Sequence, residues 1–82
     1  MKKLFTVKDK VSETYLPPFA YATSRDAIDA FRVAVKDEQS PYNKHPKDFQ
    51  LVQIGEYCER EGNVKSIKHE VVIEAETLIK EN

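Results

Sequence analysis

Residues Arg25–Lys36 read RDAIDAFRVAVK. Ala27, Ile28, Phe31, Ala34 and Val35 recur at the spacing that gathers side chains on one face of an α-helix. Ser24 or Thr23 can cap the N-terminus, Asp26 lies in the first turn, and Lys36 stands at the end where the helix dipole favours a cation. The stop falls in Asp37–Pro41, because Pro41 disfavours helical backbone at Ser40. A helix with a single apolar face needs a partner layer to bury it, and the sequence on both sides supplies strands.

On the N-terminal side, Lys3–Lys8 (KLFTVK) alternates, with Phe5 and Val7 on one face and Leu4, Thr6 and Lys8 on the other. Pro17 and Pro18 cannot donate backbone hydrogen bonds, so Leu16–Phe19 is extended but outside any central strand, and Phe19–Ala22 reads as a short edge strand. On the C-terminal side, Phe49–Tyr57 reads as a strand with Val52 and Ile54 on one face and Phe49, Leu51 and Tyr57 on the other. Gly55 permits a bulge or a close backbone approach. A turn at REGN (Arg60–Asn63) leads to a return strand clearest over Val71–Glu74, with Ile67, Val71, Ile73 and Ala75 on one face. Glu76–Glu81 closes the chain as a short helical turn. The expected fold is α+β: a small antiparallel or mixed sheet of three to four strands, one main helix packed on one face, and a short C-terminal helical turn.

The 82 residues make one domain with no internal repeat. Cys58 is the only cysteine, so no disulfide can reinforce so small a core, and self-association is the expected source of extra stability. No apolar run approaches the length of a membrane span, and MKKLFTVKDK is a poor signal peptide. A soluble, intracellular protein is expected. Thirteen basic and fourteen acidic residues give a net charge of −1, which does not fit a nonspecific nucleic-acid coat. Nucleic-acid binding therefore requires cations sorted onto one surface and acids elsewhere.

No catalytic constellation is legible. Gly55 and Gly62 are the only glycines, which argues against a phosphate-cradling loop. Cys58 and His69 are a weak nucleophile–base pair, Asp48 and Glu56 read as solvated carboxylates, and Cys58, His45 and His69 lack the paired spacing of a zinc site. No enzyme activity, cofactor or metal is expected.

Three groups of residues suit binding. On the polar side of the helix, Arg25, Arg32 and Lys36 form one stripe suited to phosphates, although Asp29 lies in the same stripe at ion-pair spacing. The segment SPYNKHPKDF (Ser40–Phe49) reads as an oversized loop carrying Tyr42, Lys44, His45 and Lys47, a mixture that suits single-stranded nucleic acid; alternatively Tyr42 packs back on the domain and the lysines face water. The third group is Lys2, Lys3, Lys8 and Lys10 followed by Tyr15, Phe19 and Tyr21, too many aromatics for the core of so small a domain and thus the mark of an interface. The acidic residues Glu70, Glu74, Glu76 and Glu81 are expected to face away from any nucleic acid.

The runs LPPFAYATSRDAIDAFRVAV and SPYNKHPKDFQLVQIGEY, followed by EREGN, cover most of the chain. Their order resembles the small nonstructural protein of gokushoviruses, single-stranded DNA phages of the Microviridae. The carrying pieces are Pro18-Phe19, the helix Ala27-Ile28-Asp29-Ala30-Phe31, the strand lead-in His45-Pro46-Lys47-Asp48-Phe49-Gln50-Leu51, and Ile54-Gly55-Glu56-Tyr57. Lys47 stands where that family often has an acid, and Asp29 where it often has a base. The resemblance implies a noncatalytic protein of the infected bacterial cytoplasm, absent from the finished virion. It also implies binding to single-stranded DNA during genome replication or the switch to single-strand synthesis and packaging. Partners so implied are the phage genome, further copies of the chain, and phage replication or capsid proteins, with no membrane. The alternative is an adaptor that acts on those proteins without touching DNA. The residues expected to contact DNA are Tyr42, Lys44, Lys47, Arg25, Arg32 and Lys36.

Overall fold

A computed structural model describes residues 1–81. The chain runs β1 (Lys2–Asp9), β2 (Thr14–Tyr15), β3 (Phe19–Tyr21), α1 (Ser24–Lys36), α2 (Pro41–Lys44), a 3-10 turn (Pro46–Asp48), β4 (Phe49–Cys58), β5 (Asn63–Glu74) and α3 (Ala75–Ile79). The strands form one antiparallel sheet in the order β2-β1-β4-β5, with β3 pairing β1 on the same edge as β2. The expected α+β architecture is therefore present, with five strands instead of three to four.

The core lies between one sheet face and the helices. Phe5 and Val7 of β1 and Leu51 of β4 bury against Ala27, Phe31 and Val35 of α1 and Ala75 and Leu78 of α3. Each of the larger side chains contributes about 1.5–3 kcal/mol by leaving water. Thr23 provides the N-cap of α1, its hydroxyl accepting from the Asp26 amide at 3.1 Å.

The segment after α1 differs from the expected loop. Ser40 is the N-cap of α2 and Pro41 occupies its first turn, so the proline that ends one helix begins another. Ser40 Oγ also donates to the Ala34 carbonyl at 2.6 Å, and Asn43 Nδ2 to the Val35 carbonyl at 3.0 Å. Ser40 thus adds a second donor to the Ala34 carbonyl, which also accepts from the Asp37 amide at 3.3 Å, and Asn43 supplies a donor to the carbonyl of Val35 in the last turn.

Bulges alter the expected strand faces. β1 runs opposite β4 with Phe5 facing Gln53 but Leu4 facing Gly55, so Ile54 is the extra residue. Beyond it Tyr57 lies opposite Lys2, in the row that contains Leu4 and Thr6, not with Phe49 and Leu51 as its spacing suggested. β5 carries two irregularities of its own. Ile73 lies opposite Leu51 on the core side, whereas Val71 lies opposite Val52 on the outer side and is 52% exposed. The single face expected for Ile67, Val71, Ile73 and Ala75 does not form, because an inserted residue reverses the alternation.

Candidate nucleic-acid interface

Two of the three cations of the α1 stripe, Arg32 and Lys36, are engaged by Glu81. Arg32 donates from Nε to Glu81 Oε2 at 3.0 Å and from a terminal nitrogen to Glu81 Oε1 at 3.3 Å, while also pairing with Asp29. Lys36 Nζ lies 3.5 Å from the Glu81 backbone carbonyl. Hydrogen bonding from Arg32 holds the Glu81 carboxyl below the usual carboxylate range, and the bonds that Arg32 donates to Glu81 and Asp29 raise the guanidinium. Arg25 is exposed and forms no ion pair among the described residues.

The expected sorting of acidic C-terminal residues away from the cations thus fails for Glu74, Glu76 and Glu81, while Glu70 makes no ion pair among the described residues. Burial of Ala75 and Leu78 lays α3 against α1 and carries Glu81 onto the stripe. Glu74 pairs with Lys10 at 2.7 Å, and Glu76 with Lys80 at 3.2 Å. Acids and bases are interleaved on this side of the molecule.

In the segment after α1, Tyr42 is half-buried. Its ring meets Phe31 edge-on at 5.5 Å and Phe49 at 4.9 Å, and burial raises its phenol above the ordinary value. Tyr42 therefore joins the margin of the core, the packed alternative that its composition left open. Lys44, His45 and Lys47 are exposed. Lys47 lines a hollow of about 320 Å³ with Lys10, Glu74, Glu76 and Thr77, where an anion meets two carboxylates as well as two lysines.

The N-terminal aromatic group divides between two surfaces. Phe19 and Tyr21 turn toward α1 and, with Val7, Ala30, Phe31, Ala34 and Tyr42, line an apolar groove of about 190 Å³. Tyr15 takes the opposite side. β1 and β2 form a tight hairpin with Lys8 opposite Tyr15. The Asp9 carboxylate accepts from the amides of Val11 at 3.0 Å and Ser12 at 3.3 Å, and Glu13 adopts a positive φ of 57°. The Asp9 turn was the signal for this hairpin, and it was missed because the turn has no glycine.

This hairpin places a compact aromatic and cationic group on the outer sheet face. Lys8 Nζ sits 5.6 Å from the centre of the Tyr15 ring, and His69 meets Tyr15 edge-on at 5.4 Å. Tyr15 is 45% exposed, and Thr6 and Val52 beneath form a buried floor. The Thr6 hydroxyl donates to the Leu16 carbonyl and fixes the segment that carries Tyr15. The sequence marks His69 only as a weak catalytic partner and an unsuitable zinc ligand. Its place here depends on the bulges of β5, which leave no mark in the spacing.

Among the described residues, no group of three His, Cys, Asp or Glu side chains is placed to hold a metal ion. Among the same residues, no helix is long and apolar enough to cross a membrane. The sequence model of a family described as "Phage ORF5 protein" matches residues 2–78. No curated protein and no solved structure matches the chain.

Proposed function

Because the chain belongs to the family of phage ORF5 proteins, we propose that it is a noncatalytic nonstructural protein that binds single-stranded DNA. In this reading it comes from a phage of the gokushovirus kind and works in the infected bacterial cytoplasm, in genome replication or the switch to single-strand synthesis and packaging. The observation that carries the reading is the group on the outer sheet face, where exposed Tyr15 stands between Lys8 and His69. An exposed ring beside a lysine suits a base and its phosphate, and each stacked base is worth ~1–3 kcal/mol. Arg32 and Lys36 contribute little in this scheme, because Glu81 already engages them.

The test is a titration of a labelled single strand at several salt concentrations. Affinity falls with salt in proportion to the phosphates neutralised. Tyr15→Ala is expected to weaken binding roughly tenfold at fixed salt, as the loss of one stacked base requires. A strand held on the helical side instead makes Lys44→Ala and Arg25→Ala the damaging substitutions. A folded sample that binds nothing at low salt excludes DNA binding.

One observation favours a second reading. Interleaved ion pairs such as Lys10–Glu74 and Arg32–Glu81, together with the apolar groove of Phe19, Tyr21 and Tyr42, suit an adaptor that docks a phage replication or capsid protein. Retained capture of such a protein by a variant that has lost DNA binding supports that role.

A further inference from the structure

Among the described residues, strand β5 pairs with β4 alone, so its other edge carries backbone donors and acceptors without a strand partner over a twelve-residue element. Open edges are blunted by prolines, short length, bulges, charged side chains or cover. β5 carries bulges and the exposed Lys65, Lys68 and Glu70, but it is long and uncovered by another strand among those residues. Whether its charges repel or complement a second strand therefore decides what it can pair with. β5 contains no proline, and the stretch Val64–Val71 is exposed except for half-buried Ile67. Two of its exposed side chains are apolar, Val64 at 65% and Val71 at 52%.

We propose that this edge is the dimer interface of the protein, and that a second copy pairs with it antiparallel about a two-fold axis between Ile67 and Lys68. The register follows from the faces. Val64 lies opposite Tyr57 and Val71 opposite Val52, both on the outer side of the sheet, whereas Lys65 opposite Glu56 and Glu70 opposite Gln53 lie on the helical side. Residues seven apart in a regular strand point to opposite faces. The irregularity between the Gln53 and Gly55 pairings restores Val64 and Val71 to a common face.

With the axis between Ile67 and Lys68, Val64 of each copy faces Val71 of the other, and Lys65 of each faces Glu70 of the other. Two apolar pairs and two opposite-charge pairs are formed, each on a single face of the joined sheet. Neither Lys65 nor Glu70 engages in an ion pair within the chain among the described residues, so both are available. Centring the axis on Lys65 or on Lys68 instead sets two lysines directly opposite, which is destabilising. The Lys68 register also faces Ser66 with Glu70, residues of opposite sheet faces. Of these three registers, charge complementarity favours the one centred between Ile67 and Lys68, independently of whether DNA binds.

Sedimentation equilibrium of the full chain over a range of concentrations tests this. A reversible dimer is expected. Lys65→Glu and Glu70→Lys are each expected to weaken it about tenfold or more, because both symmetry-related pairs become repulsive. The double swap K65E/E70K should restore association to near the original. Both side chains are exposed, and circular dichroism checks that each variant keeps its fold. In parallel, amide exchange across β5 should slow as concentration rises. A chain that stays monomeric at millimolar concentration overturns the proposal, as does a dimer indifferent to both single substitutions.

Discussion

Gly55 allows no side chain. A Cβ added there would lie 2.6 Å from the Lys65 carbonyl oxygen, a backbone atom that cannot swing aside. Gly55→Ala is expected to destabilise by roughly 1–3 kcal/mol, the usual cost of overpacking, and a urea unfolding curve measures it. A bulge or a close backbone approach was legible at this position, and both are present: Ile54 is the inserted residue and β5 presses against the glycine. Tyr42 was less legible. A tyrosine near lysines satisfies the description of a stacking platform and of a core margin equally, since one end of the ring is apolar and the other polar. Only the positions of Phe31 and Phe49, distant in sequence, decide for the margin.

At the scale of elements, α3 has too few residues to be stable alone. Burial of Ala75 and Leu78 and the clasp of Arg32 on Glu81 hold this end of the chain to α1. The clasp is sensitive to acid. The Glu81 carboxyl is held below its ordinary value, so its contribution is present above the ordinary carboxylate range and is lost as pH falls through the lowered value. Arg32→Ala should move the Glu81 titration, followed by carboxyl chemical shift, back up toward the ordinary range. An unchanged titration would show that the clasp does not persist in solution. Helix α1 was readable because its period, cap and terminal charges agree. Helix α2 was not, because Ser40-Pro41 reads equally as the stop of one helix and the start of the next. The return strand β5 was clearest at its C-terminal end, since its bulges interrupt the alternation on which strand recognition depends.

Across the whole molecule, order is distributed unevenly. The chain measures 39 × 26 × 19 Å, with the helices gathered over the core and the β4–β5 hairpin running out to an exposed turn. In the dilute monomer, amides of residues 61–68 should exchange faster than those of Phe5, Thr6 and Val7, which are buried in β1. Equal protection in the two regions would contradict that gradient. Class and layering were legible from local patterns, but the arrangement of charge was not. Where Glu81 comes to rest depends on how α3 docks, and composition carries no record of docking. The opposite edge of the sheet is divided between two- and three-residue strands on either side of Pro17-Pro18, with neither proline able to donate to an added strand. Each copy therefore has one side on which a sheet can grow and one on which it cannot. If two copies pair through the open side as proposed, that side is consumed on both, and the proline doublet would act as a chain terminator: assembly would close at two and not run on into a fibre.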